Sequence, residues 1–317
     1  MKRPALAASL LLLALAPLLI GNDYYLNIVS QVLISAIFAQ GLNLLVGYAG
    51  LVSLGHAGLF GTGAYVAAFL LTGGSSQLSA AALAIGATLA TSAVFAFLAL
   101  RATGISFFMI TVALGQIAWG IAYRWISLTG GDNGISIAAR PEPFGISLAD
   151  ATPFFYATLI VFLAVQGAVA IFVRSPLGIS LRGTRDQPRR MTALGFNVWL
   201  IRFTAFVLSG LLSGVAGLLS LYNTKFVSPH LLSLGTSAEA LLMVISGGTA
   251  TLLGPVVGAA IVVAMKYVAS AYVERWNLVL GVIFVVIVLF MPEGLVPGSV
   301  RLWRRFRTAT QAREAAR

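Results

Sequence analysis

A chain of 317 residues with 59% hydrophobic and only 9% charged side chains falls far below the ~25% charge of an ordinary soluble domain. A water-soluble protein needs a wettable surface, so this composition excludes that class and makes lipid the solvent. The net charge of +11 does not mark a nucleic-acid binder, because the cations sit between apolar runs. The absence of cysteine excludes disulfides, thiolate catalysis and cysteine-ligated zinc.

A helical crossing needs roughly 20 apolar residues. In chain order the apolar runs are 4–20, 26–46, 53–71, 79–100, 104–123, 153–173, 201–222, 237–245, 254–271 and 278–291. The expectation is an all-α polytopic bundle of about ten transmembrane helices. Residues 1–300 form one transmembrane domain, with 174–200 as an inner loop, and 301–317 a basic tail. The first run resembles a secretory signal, with Lys2 and Arg3 before it and Ala14-Leu15-Ala16 near its end; it is read as an uncleaved first helix. The eighth run is too short to cross alone, so it borrows from its flanks or is a broken helix.

Positive charge in short loops sets orientation. With the N-terminus inside, the inner segments hold Lys2, Arg3, Arg101, Arg174, Arg182, Arg185, Arg189, Arg190, Arg202 and six arginines of the tail. The outer side holds Arg124, Arg140, Lys225, Lys266 and Arg275. This asymmetry places both termini in the cytoplasm and supports an even number of spans. The tail reads as a topology anchor; with Trp303 and Phe306 it also suits the anionic inner leaflet.

Two connections exceed simple turns. The outer one, 124–152, carries Thr129-Gly130-Gly131-Asp132-Asn133-Gly134 and suits a soluble substrate carrier. The inner one, 174–200, suits a motor.

Catalytic patterns are missing. A phosphate-binding loop needs a lysine followed by Ser or Thr, but Lys2, Lys225 and Lys266 precede Arg3, Phe226 and Tyr267, so this chain does not hydrolyse ATP. His56 and His230 lie far apart, with no metal partners in the pattern. Ser53 and His56, three apart, would share a helical face and raise the idea of an intramembrane hydrolase. Serine is also common as interhelical glue.

Glycine stands out instead, with 33 residues. Gly58 and Gly61 with Gly63, Gly210 and Gly214 with Gly217, and Gly254 with Gly258 have spacings that let helix backbones approach. Polar groups within spans are rarer and mark interhelical bonds or a solute route: Gln40 and Asn43 in the second, Ser53 and His56 in the third, Gln116 in the fifth and Glu239 in the eighth. Glu239 is the one carboxylate in these spans. A proton relay needs several, so the pattern argues for an external energy source or a passive pore.

The segment Gly41-Leu-Asn-Leu-Leu-Val-Gly47-Tyr-Ala-Gly50-Leu-Val-Ser53-Leu-Gly55-His56-Ala-Gly58 resembles the signature of permeases in branched-chain amino acid ABC importers. So do Ser127-Leu-Thr-Gly-Gly-Asp-Asn-Gly134-Ile, Glu239-Ala-Leu-Leu-Met-Val-Ile-Ser-Gly247-Gly248, Leu253-Gly254-Pro255-Val-Val-Gly258-Ala259 and Met291-Pro-Glu-Gly294-Leu. The resemblance covers about residues 25 to 298 and its detail is closer to the longer of the two permease subunits. It implies a second permease subunit as heterodimer partner, two ATP-binding cassette subunits, a periplasmic binding protein, no cofactor and an inner-membrane location. It also implies that the stretch from Ser175-Pro176-Leu-Gly178 to Gly195 holds a coupling helix that docks on the ATPase. Its residues are Arg185, Asp186, Arg189, Arg190, Met191, Ala193, Leu194 and Gly195. The family often has a basic residue after the position of Gly178, where this chain has Ile179. Pro188 suits a first helical turn, which puts the helix start near Asp186 or Gln187.

The mechanism implied is alternating access between two permease subunits, with Gln40, Asn43, Ser53, His56, Gln116 and Glu239 as pathway candidates. Branched-chain amino acids are the family's default substrates; relatives carry urea, short amides or aromatic acids. A self-contained channel or secondary transporter is the alternative.

Overall fold

The computed structural model describes residues 21–272, apart from 139, 141 and 143–146, with a few separate positions on either side. The first apolar run, most of the tenth and the tail lie outside the described residues. The chain forms α1 (Asp23–Asn43), which continues as a π-helical turn over Leu44–Ala49, then α2 (His56–Thr72), α3 (Gln77–Ala99) and α4 (Ile105–Arg124). After the short α5 (Ile126–Thr129) come α6 (Ala151–Arg174), α7 (Pro176–Asp186), α8 (Pro188–Ala193), α9 (Val198–Thr224), α10 (Leu234–Gly247) and α11 (Gly254–Tyr272). Five of these (α1 with its π turn, α3, α4, α6 and α9) are long and apolar enough to cross a membrane.

Burial sorts centre from rim. The most apolar stretch of α1 is 78% buried and that of α9 67%, against 22–33% for α3, α4 and α6. A helix apolar on all sides belongs in a core or in lipid; α1 and α9 take the first place, the other three the second. The axis α1–α9 carries α2 and α3 on one side and α6, α10 and α11 on the other.

Small residues permit the crossings. A Cβ at Gly63 would stand 2.6 Å from the Gly214 carbonyl oxygen, and one at Gly214 2.5 Å from the Thr88 methyl. Gly217 faces the Phe60 carbonyl, Gly210 faces Ser92, and Gly58 lies against Ala118 and Gly115 of α4. Without a hydrophobic drive between helices in lipid, such contact and interhelical hydrogen bonds are what hold the bundle.

The run starting at Ser53 differs from its expected form. The helix begins at His56, so Ser53 precedes it in a non-helical stretch and shares no helical face with His56. Gly50 has φ +69°, a left-handed conformation suited to glycine, and turns the chain there. The Ala57 N–H, one of the orphan donors of a helix start, is taken by Ser237 Oγ at 2.9 Å.

The eighth run resolves as α10, whose 14 residues reach only ~21 Å at 1.5 Å per residue, short of a ~30 Å hydrocarbon core. With α11 it makes a tight hairpin through turn 248–253. Gly247, Gly254 and Gly258 let the two strokes touch: a Cβ at Gly258 would run into the Met243 carbonyl.

One feature is not helical. β1 (Ile135–Ser136) pairs antiparallel with β2 (Phe226–Val227), which ties the 124–152 connection to the segment after α9. Arg140 fastens the same region. It is 6% exposed and donates to the carbonyls of Tyr222 (3.0 Å), Asp150 (3.3 Å) and Ala149 (3.4 Å) and to Asn27 Oδ1 (2.8 Å). Its guanidinium also lies 4.5 Å from the Phe154 ring centre. Burial lowers its pKa, an effect opposed by Asp23 and Asp150.

Candidate functional site

A cavity of about 220 Å³ opens between α1, α9, α10 and α11, in the half of the bundle nearer the Arg124 end. Glu239 of α10 and Lys266 of α11 meet in its wall. Lys266 Nζ donates to both Glu239 carboxylate oxygens at 3.2 Å, and the two side chains keep 20% and 40% exposure. Gln31, Ser35, Thr236 and His230 add polar lining, while Phe38, Phe60, Met243, Val262 and Val263 add an apolar wall.

Glu239 is the one sequence-selected pathway candidate that opens on this cavity. Asn43 is engaged elsewhere: its Nδ2 donates to the Thr251 carbonyl (2.9 Å) and its Oδ1 accepts from the Ala250 N–H (3.0 Å), holding the hairpin tip against α1. Gln166 of α6 assists by donating to the Leu252 carbonyl at 2.6 Å. Gln40 is 1% exposed, with neither amide atom bonded among the described residues. Gln116 faces outward from α4, a polar amide on an apolar rim helix.

Ser53 and His56 do meet, at 2.9 Å through Nδ1, and His56 Nε2 meets Ser209 Oγ at 2.8 Å. Ser209 Oγ donates to the Gly41 carbonyl at 2.5 Å. A hydroxyl has one proton, so Ser209, which spends its own on Gly41, accepts from Nε2–H, and Ser53 meets Nδ1; both ring nitrogens are used. All three side chains are fully buried, with no surface for a substrate to reach. The cluster is a cross-brace between α1, α2 and α9 rather than a nucleophile and its base.

At the opposite end, Ser175 caps α7 by accepting from the Gly178 N–H with Pro176 in the first turn, a favoured start. Leu181 and Thr184 are buried, Arg182 donates to the Val173 carbonyl (2.7 Å) and Arg202 to the Thr184 carbonyl (2.8 Å). Arg185 donates to the Gly47 carbonyl and forms a loose, exposed pair with Asp186. α8 starts at Pro188 and buries nothing. Arg189, Arg190 and Ala193 are exposed, Met191 is half-buried against Gly183, and Leu194 is 64% exposed. Gly195 closes the segment at φ +85°.

Lys266, Ser209 and Arg140 were not singled out by sequence reasoning as site or frame residues. For Lys266 a signal was present: an ammonium inside an apolar helix needs a partner, and Glu239 is the matching carboxylate.

Residues 24–290 match the family described as "Branched-chain amino acid transport system / permease component". The chain belongs to that family. Among curated relatives it is 28% identical to the high-affinity branched-chain amino acid transport system permease protein LivM of Salmonella typhimurium, over 93% of this chain and 75% of the relative. The LivM protein of Escherichia coli matches at 28% with the same coverage. LivH of Salmonella typhimurium is 25% identical over 82% of this chain and 90% of its own length. No solved structure matches. As a permease component the chain is a transport subunit and not an enzyme, and its likeness to LivM accords with resemblance to the longer permease.

Proposed function

We propose that this chain is the membrane-spanning permease subunit of an ATP-driven importer, moving branched-chain or related amino acids across the bacterial inner membrane by alternating access. It crosses about ten times with both termini in the cytoplasm, which puts the 174–200 segment at the motor and the 124–152 segment outside. A second permease subunit completes a heterodimer. Two ATP-binding cassette subunits supply the energy, and a periplasmic binding protein delivers substrate to the Arg124 end. No resident cofactor is called for.

The observation that carries this reading is the architecture of α8. It buries no residue of its own, with Leu194 and Phe196 exposed beside Arg189 and Arg190, and it is carried by α7, which is anchored to the bundle by Leu181, Arg182 and Arg185. An unpartnered apolar and basic knob on a rigid stalk suits a docked partner. Glu239 is retained as the pathway residue; Gln40, Asn43, Ser53 and His56 fit a supporting role in the frame, and Gln116 fits contact with the second permease.

The test is co-purification from membranes that express the chain with the ATPase, second permease and binding-protein genes beside its own. Capture of the ATPase by the native chain, and its loss when 185–195 is replaced by a Gly-Ser stretch, supports the reading. Uptake by this chain alone in vesicles without ATP would favour the channel or secondary transporter.

A further inference from the structure

We propose that the Glu239–Lys266 pair is a binding site for the charged head of a zwitterionic α-amino acid: the substrate ammonium meets Glu239, its carboxylate meets Lys266, and its side chain lies against Phe38, Met243 and Val262. This rests on the importer reading above and names the substrate class of its cavity.

A charge pair inside an apolar bundle is costly to desolvate, and replacing such a pair by well-packed apolar residues is often neutral or stabilising. Its presence therefore asks for a use beyond holding α10 to α11, which close glycine contacts already join. The pair is open to the cavity on one side, at 20% and 40% exposure. Its contacts of 3.2 Å are longer than the ~2.7–2.9 Å of tight charge-assisted bonds, so a competing ion can separate them.

The chemistry selects. A zwitterion inserted between the two groups replaces one ion pair with two and leaves the net charge of the cavity unchanged. A carboxylic acid without an amine adds a negative charge to the cavity, and an amine without a carboxylate adds a positive one. Urea and simple amides carry no charge to break the pair. A net charge added beside an apolar wall carries a desolvation cost, so the pair disfavours each of these ions while the apolar wall accepts a branched aliphatic side chain.

The test uses the full reconstituted assembly. The native chain has no cysteine, so single thiols at Ser35→Cys and Ser220→Cys, both in the cavity lining, are reporters free of background, read on this chain by mass spectrometry after a thiol reagent. Leucine at ten times its half-protecting concentration is expected to slow modification about tenfold. The same carbon skeleton without its amine (4-methylpentanoate) or without its carboxylate (3-methylbutylamine) should not. E239Q and K266M should each abolish protection, with co-purification of the other subunits as the check on folding. The double variant E239Q/K266M, which leaves no unpaired charge and so guards against misfolding, should do the same. Equal protection by either analogue, or leucine protection surviving in the double variant, overturns the proposal. ATP-driven leucine uptake without protection overturns this site alone; no leucine uptake by the native assembly overturns the importer reading and this site with it.

Discussion

Asn43 is where one side chain holds the most. Both its amide atoms bind the hairpin tip, at 2.9 Å to the Thr251 carbonyl and 3.0 Å to the Ala250 N–H. Asn43→Ala strands a donor and an acceptor in a partly buried turn, where the ~1–3 kcal/mol for each group puts the expected loss at the lower end of ~2–6 kcal/mol. Asn43→Gln offers no escape, because Gly47 and Ala250 close the space around the amide. Asn43→Asp keeps the acceptor but points a carboxylate oxygen at the Thr251 carbonyl. The readouts are thermal unfolding of the assembled complex and modification of a Leu252→Cys thiol at the tip, with leucine uptake alongside. All three substitutions should lower the unfolding midpoint, expose the tip thiol and impair uptake, since the tip positions the helices bearing Glu239 and Lys266. Gln166→Ala, which removes one bond to the same turn, should do about half as much. An unchanged midpoint and an unchanged tip thiol in Asn43→Ala would refute the latch.

Gly217→Ala should abolish folded yield, because the new Cβ meets the backbone carbonyl of Phe60, whereas Gly86→Ala, with nothing within 4 Å, should be tolerated and gain ~0.5–1 kcal/mol from helix propensity; detergent gel filtration distinguishes them. Arg140→Met removes every polar contact of a buried guanidinium, including those to the Tyr222 carbonyl and Asn27 Oδ1, costing ~3–5 kcal/mol by analogy with a broken buried pair. Limited proteolysis should then cut within 124–152. Leu194→Glu, at a side chain 64% exposed, should leave the midpoint of the isolated bundle within ~0.5 kcal/mol while ATPase co-purification falls; retention of the ATPase would move the docking surface off α8.

Sequence carried the helices well because lipid imposes one rule on every span: an uninterrupted apolar run of sufficient length. Runs 79–100, 104–123 and 153–173 lie within one or two residues of α3, α4 and α6. The rule fails where the chain does not run straight through. Ser53 is apolar-flanked like a span residue, but Gly50 at φ +69° bends the backbone and delays the helix to His56. Polarity within a span also proved ambiguous. Asn43 and His56 are polar for the sake of backbone carbonyls and hydroxyls contributed from distant positions, Thr251 and Ser209, and no local pattern names such partners. Glu239 was legible as an oddity, but its meaning depends on Lys266, which approaches only because a hairpin brings residues 27 apart in sequence side by side. Arg140 looked like a loop cation; its burial arises from carbonyls at the ends of α9 and the start of α6 that the fold alone collects.

The geometry also says how the two ends of the bundle feel each other. Gly47 lies in the π-helical turn that ends α1, and π turns occur often at functional sites. On one face its carbonyl accepts from Arg185 of α7; on the other, its missing Cβ leaves room for the Ala250 backbone at the hairpin tip. Gly50 adds a second hold, for a Cβ there would stand 2.8 Å from Arg185 Cγ. The stalk of α8 therefore touches the π turn, the π turn touches the tip, and the tip is continuous with the helices that carry Glu239 and Lys266. Spatial continuity alone does not establish coupling, and the link from α7 to the π turn runs through the Arg185 side chain; from the π turn to the tip the contact is backbone against backbone. A displacement of α7 is passed to the tip through Arg185 and Gly47, whereas α3 is a largely exposed rim helix. Arg185→Ala, which removes the hold on Gly47, should therefore loosen the tip and raise modification of a Leu252→Cys thiol there; an unchanged rate would break this route.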